Sequence, residues 1–177
     1  GIGTKHRVTS FETASRKGEP FESVISKYGI PNQAFPHCNR ELKLNPIHHY
    51  IKSVLGWKIY HTAIGIRNDE IDRVNEHHNK LRLYYPLVTD QPMSKPKINF
   101  WWSNQSFRLK LKGYQGNCKW CWKKSTNKLL TLMKEDSSVF DFPRKMESQY
   151  KTDYNFFRGD RSVSDLEQLS QLPFKKP

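Results

Sequence analysis

The amino-acid sequence predicts an α/β fold: a partial parallel sheet flanked by helices, with a helical C-terminal region. Three observations predict it. The run Lys58-Ile59-Tyr60-His61-Thr62-Ala63-Ile64-Gly65-Ile66 is rich in strand formers and apolar on both faces near its end, the pattern of an inner parallel strand. It stops at a charged turn, Arg67-Asn68-Asp69-Glu70, where open α/β sheets bind ligands. Before and after it, apolar residues recur at helical spacing.

In chain order, His6 to Phe11 alternates and reads as a short strand or extended arm. Pro20 then opens a helix whose inner face is Phe21, Val24, Ile25 and Tyr28, with Gly29 and Pro31 ending it. Arg16 and Lys17 precede its N-terminus, where free amides and basic side chains together favour an anion; an ordinary basic loop is the alternative. Leu42, Ile47, Tyr50, Ile51, Val54 and Leu55 mark a second helix reaching Gly56, with Pro46 kinking or splitting it. After the strand at 58–66, a helix of Ile71, Val74 and His78 is expected. Arg67 and Arg73 there are anion-contact candidates, Arg73 more plainly helix surface charge. A second strand, 81–88, ends at Pro86. Ser94 is placed to cap a helix whose buried face is Ile98, Trp101 and Trp102; a base-stacking platform is the less favoured reading of the tryptophans. Leu129, Leu130, Leu132 and Met133 give the inner side of a helix over 127–135, and another covers roughly 139–150. The domain is read as 1–150. Residues 151–177 read as a polar tail, docked or frayed, with one turn capped at Ser164-Asp165-Leu166-Glu167.

Thirty Lys and Arg stand against 17 Asp and Glu, a formal net charge of +13. That excess points to a polyanionic partner, a nucleic acid or a phosphate-rich small ligand such as an adenine nucleotide. No run of eighteen apolar residues exists, so no transmembrane helix and no membrane partner are expected. The first residues lack the apolar region of a signal peptide, and they lack an initiator Met, as in a processed product or part of something longer. Three cysteines, an odd number, argue against a secreted disulfide framework and for a reducing cytoplasm.

The chemistry concentrates in a knuckle at 116–124, Gly116-Asn117-Cys118-Lys119-Trp120-Cys121-Trp122-Lys123-Lys124. C-x-x-C lets two sulfurs converge on one zinc or cluster iron, and it also serves dithiol redox chemistry. Lys119, Lys123 and Lys124 favour thiolate and form a rim for an anion, against the plain reading of solvated charge. The third thiol, Cys38, lies some eighty residues upstream beside Arg40 and Lys43 at the start of a helix, where the dipole lowers a thiol pKa. A small core cysteine is the alternative. Three thiols plus His37 or His48 would complete a zinc site; three alone suffice for a 4Fe–4S cluster with one open iron.

An ordered series of motifs resembles the phosphoadenosine phosphosulfate (PAPS) reductase family, and more closely the PAPS-reductase-like proteins of bacteriophages and mobile DNA. The series is Ala14-Ser15-Arg16-Lys17-Gly18-Glu19-Pro20-Phe21, Cys38 through Ile47, Ala63 through Glu70, Tyr85-Pro86-Leu87, and Gly116 through Cys121. The resemblance implies the C-terminal portion of a PP-loop, adenine nucleotide α-hydrolase-like fold. In the iron–sulfur branch a Cys-Cys pair and a C-x-x-C hold a 4Fe–4S cluster. Cys38 matches the first Cys of the pair, Asn39 replaces the second, and Cys118 and Cys121 match the C-x-x-C. By the same resemblance Arg16, Lys43 and Arg67 contact phosphate or sulfate. The implied chemistry is reduction of activated sulfate, or sulfur transfer onto a nucleotide or nucleic acid, with ATP or PAPS as the nucleotide. The family's phosphate loop is expected upstream of Gly1 or on a separate chain, unless it has been lost, and the C-terminal nucleophilic cysteine of assimilatory reductases has no match. The competing readings are a non-enzymatic nucleic-acid-binding module with structural zinc, and a catalytically inactive subunit.

Overall fold

Contacts divide the chain into two units, Gly1–Leu55 with Leu111–Pro177, and Gly56–Lys110. The structure, a computed structural model, describes residues 4–108, 110–116, 118–150 and 156–177.

In the first unit, helix α1 spans Glu19–Tyr28, with Pro20 in its first turn. Gly18 is its N-cap at φ +88°, and a Cβ there would stand 2.4 Å from the Phe142 ring. Both the backbone conformation and the close approach therefore require glycine. Gly29, at φ 83°, ends the helix as expected, and Val24 and Ile25 are its buried residues.

The next segment shows what Pro46 does. Helix α2, His37–Asn39, runs into a π-helical turn at Arg40–Leu44 and then into α3, Asn45–Ser53. Proline lacks the N–H that would bond the carbonyl four residues back, and its ring crowds that carbonyl. The wider turn relieves the crowding, with the Asn45 amide reaching Arg40 O. The helix is thus re-pitched rather than split. Its expected apolar stripe is not buried: α3 contains no buried residue, and Ile47 and Val54 are more than half exposed. What lies on it is the N-terminal arm, whose His6 packs edge-on to Tyr50 and brings its Nδ1 to 2.6 Å from His49 Nδ1.

Glu41, inside the π turn, is 2% exposed. Its carboxylate accepts hydrogen bonds from Thr4 N and Oγ1 (3.2 and 2.9 Å), Arg40 Nε (2.8 Å) and Asn45 Nδ2 (3.1 Å). Burial pushes its pKa up, but these donors outweigh burial and hold it at about 2, against an ordinary 4.5. They tie the arm to the turn.

The second unit holds a two-stranded parallel sheet among the described residues. Strand β1 is Thr62–Ala63 and β2 is Leu83–Tyr84, with Thr62 opposite Leu83. Parallel pairing holds, but β1 is not an inner strand: it has one partner, and Ile59 is 70% exposed. The helix expected at 71–78 is instead a 3₁₀ segment at Asn68–Arg73, broken at Glu70. Short α4, Pro86–Thr89, starts at the proline that ends the second strand. Ser94 stands at the N-cap of α5, Lys95–Ser103, without a side-chain cap bond. The predicted buried face of α5 is wrong: none of its residues is buried, and Trp101 and Trp102 are 50% and 38% exposed.

Returning to the first unit, α6 (Thr126–Glu135) buries Leu129, Leu130, Leu132 and Met133, the four residues its periodicity marks. A 3₁₀ turn at Ser137–Phe140 leads into α7, Asp141–Tyr150. Residues 151–155 of the expected tail lie outside the described residues. The rest of it docks, and its Phe157, Val163 and Leu166 join the core. Helix α8, Val163–Gln171, starts in a capping box made by Ser162 and Asp165, two residues before the capping serine expected from the sequence. Val163 and Leu166 pack with α6 and Phe140, while Phe157 joins Ile25, Ile30, Trp122 and Met146. Buried Glu147 accepts the amides of Phe157 (3.2 Å) and Val163 (2.7 Å), fixing the turn between them.

Phe157→Ala should therefore cost about 3–5 kcal/mol of stability in urea denaturation. Glu41 has a depressed folded pKa, so its stabilisation is present above about 4.5 and is lost as pH falls through about 2. Glu41→Gln should lower the melting temperature at neutral pH, and its deficit against wild type should shrink on acidification through that window.

Candidate functional site

The knuckle is shaped by tight turns and braced from the C-terminal region. The Cys121 amide donates to Cys118 O (3.2 Å) and the Lys124 amide to Cys121 O (2.9 Å), which places both thiols on successive turns. Arg158 donates to Trp122 O and Lys124 O and, at 3.2 Å, to Thr126 Oγ1. Trp120 stacks on Phe21 (5.4 Å between centroids) and Phe142 (5.7 Å) and meets Phe157 edge-on at 4.8 Å. Lys124 sends its Nζ to Tyr114 O (2.8 Å) and Gly116 O (2.6 Å), closing the loop that leads in. Asn117 lies outside the described residues.

The fold brings the distant thiol to this knuckle. Cys118 feels, besides Cys121, the charges of Lys43, Cys38 and Lys124. Cys38 and Cys121 are half-buried and Cys118 exposed, all three as free thiols. The lysines do not win the electrostatic contest. Burial first and then Cys121 push the Cys118 thiol up, with Lys43 and Lys124 opposing in part. Lys124 is itself pushed down, chiefly by burial. The expectation that the lysines favour thiolate is thus reversed at Cys118, because desolvation of the anion outweighs its attraction to them.

Thiol donors suit zinc and cluster iron. Among the described residues, however, no three His, Cys, Asp or Glu side chains form a group that could hold a metal ion as placed. Binding would need the Cys118–Cys121 turn to draw in on Cys38. Next to Cys121, the buried Trp122 indole N–H has no hydrogen-bond partner, an open donor within the knuckle. His37, a candidate fourth ligand, is spent elsewhere. Its Nε2 meets Gly29 O at 3.1 Å, and burial pushes its pKa down.

The basic candidates separate. Lys43 and Lys124 act on the Cys118 thiol through their charge, the Lys124 ammonium itself being bonded to Tyr114 O and Gly116 O. Lys119 and Lys123 are exposed, with Lys123 over the Trp122 ring at 5.3 Å. Arg40 pairs with Glu41. Arg16 bonds Phe11 O at 2.6 Å and lies over the Phe11 ring, closing its own loop. Lys17 is exposed, and its amide is taken by Glu19 at 3.1 Å, so the start of α1 already holds a carboxylate. Arg67, in the second unit, is paired with Asp69 (2.9 Å) and Glu70 (3.1 Å). Sequence reasoning missed Glu41, Arg158 and a groove of about 660 Å³ beside α1, lined among others by Lys5, Arg7, Thr9, Ser15 and Glu41. No local pattern marks them, since Arg158, the groove and the Thr4 bonds of Glu41 all join residues remote in the chain.

No helix among the described residues is long and apolar enough to cross a membrane. No family model matches the chain, and no solved structure matches it. The chain is similar to the uncharacterized nin region protein ORF290 of Escherichia phage lambda. The two are 35% identical over 121 residues, which cover 68% of this chain and 40% of that protein. The chain thus spans about two fifths of the length of that relative.

Proposed function

We propose that this chain is part of a PAPS-reductase-like sulfur-metabolism protein that carries an iron–sulfur cluster on Cys38, Cys118 and Cys121. Its fold is read as the C-terminal portion of a PP-loop, adenine nucleotide α-hydrolase-like domain, with the phosphate loop supplied by another segment or chain. The observation that supports the proposal is that the Cys118 thiol feels the charges of Cys121 and of the distant Cys38, Lys43 and Lys124. A bound cluster supplies an electron or an open iron to sulfur chemistry. The chain's own part is to hold the sulfurs on a braced turn and to offer the exposed ammonium of Lys43, with those of Lys119 and Lys123, to an anionic substrate. The substrate class is an activated sulfate, a nucleotide or a nucleic acid. The relative's phage origin agrees with the phage-type resemblance in the motifs.

Strictly anaerobic purification should give brown protein with about four irons per chain. Colourless protein with one zinc would sink the cluster and favour structural zinc. Cys38→Ser should cost as much metal as Cys121→Ser, by elemental analysis; unchanged content would remove Cys38 from the ligand set. Because Cys118 is held protonated, metal uptake must release protons and should weaken as pH falls, which a competition titration with a chromophoric chelator reads directly.

A further inference from the structure

The face of α5 carries chemistry that the cysteine site does not use. Trp101 and Trp102 meet edge-on at 4.7 Å, and Phe107 meets Trp102 edge-on at 5.7 Å. All three are exposed, Phe107 at 68%, and so is Phe100 at 71%. The end of the helix that presents them is fixed. Gln105 Nε2 donates to Trp101 O at 3.1 Å, the Asn104 and Gln105 amides return to Trp101 O and Trp102 O, and Ser103 Oγ donates to Phe100 O at 2.7 Å. The start is fixed as well, by the Lys95 amide on Asp69 Oδ1 at 3.2 Å. A rigid turn thus holds aromatic rings in water, where an unpartnered apolar patch marks an interaction surface.

Charge decides what covers it. From Gln91 to Lys134 the sequence contains no Asp or Glu. On the part of that stretch within the second unit, Lys95, Lys97, Arg108 and Lys110 are exposed, and none forms an ion pair among the described residues. An apolar protein surface has no use for a run of cations with no acid of its own, the Asp69 carboxylate at the start of α5 being already paired with Arg67. A polyanion that also offers flat π faces uses both features. Duplex bases are stacked on one another and closed to such rings. The geometry points to a binding surface for single-stranded nucleic acid on α5 and the turn after it, with Trp101, Trp102 and Phe107 stacking bases and the four cations following the backbone. This surface stands on the second unit alone and does not depend on what the cysteines hold.

The test is fluorescence anisotropy of a labelled oligothymidylate about sixteen nucleotides long, run at low and physiological salt beside a duplex of equal length. The single strand should bind more tightly than the duplex, with intrinsic tryptophan quenching and marked weakening by salt. Trp101→Ala and Phe107→Ala, both at exposed positions, should each weaken it roughly tenfold. Lys80→Gln removes an exposed cation of the same unit that is not part of the surface and should stay within about twofold, since it is not called on to neutralise a bound phosphate. Equal weakening by all three variants would reduce the binding to general charge and overturn the proposal. So would absence of binding at low salt, or wild-type self-association that Trp101→Ala abolishes, which would show a protein covering the rings. The readout does not involve metal content, so this proposal and the cluster reading fail separately.

Discussion

The cysteine site depends on the stacking of Trp120. That ring sits between the two C-x-x-C thiols in sequence. In space it stacks on Phe21 of α1 and Phe142 of α7 and abuts Phe157 from the C-terminal segment. One side chain therefore gathers three distant stretches beneath the knuckle. The same packing brings Ile25 and Trp122 into one cluster. Aromatic pairs of this kind add about 0.5–1.5 kcal/mol each beyond area burial. A short loop with little regular structure of its own would otherwise have no reason to keep one conformation. The substitution least tolerated here, Gly18 to any residue with a Cβ, acts through the same stack, because the added atom would strike Phe142.

The second constraint is the pair Pro46 and Glu41. Proline forces the helix to widen by one residue, and the widened turn carries Glu41, with Arg40 and Lys43 on the same turn. A regular α-helix would rotate everything before Pro46 by about 100° relative to everything after it, from 3.6 residues per turn. The buried carboxylate then fixes the turn by collecting donors from Thr4, Arg40 and Asn45. Arg40 is thereby removed from any role as a free anion contact, although the sequence places it beside Cys38.

What the sequence made legible follows from how local each signal is. Helices α1 and α6 were readable, with the whole buried face of α6 and, on α1, Val24 and Ile25 but not the exposed Tyr28, because caps and apolar periodicity lie within ten residues. The pairing of Cys38 with the C-x-x-C came from motif spacing rather than from physics, and in the structure it goes as far as an electrostatic influence of Cys38 on Cys118. The α3 stripe and the tryptophans of α5 were misjudged for one reason: periodicity reports that a face is apolar, not that a partner exists to cover it. For the tail, read as docked or frayed, periodicity could not say which. Phe157, Val163 and Leu166 are sparse in a polar segment, yet Glu147 and the aromatic cluster give each a place. The charge of Lys119, Lys123 and Lys124 suggested an activated thiolate; the order of burial over attraction at Cys118 becomes visible only in three dimensions.

The two units are unequally provided with core, and this bears on their roles. The first has two hydrophobic clusters built on α1, α6, α7 and α8. In Gly56–Lys110 the buried apolar side chains among the described residues are Ile66 and Tyr85, while Ile59, Ile71, Leu81 and the α5 aromatics are left in water. A unit of this size with so little buried area gains little hydrophobic stabilisation from its own fold. Anything that binds its folded form and covers those rings shifts the balance toward order in proportion to its concentration over its dissociation constant. Apolar rings retained on a surface at such a cost to the unit's own stability call for something that covers them, and the cations of the same stretch, which form no ion pair among the described residues, favour an anion over an acid-poor apolar partner.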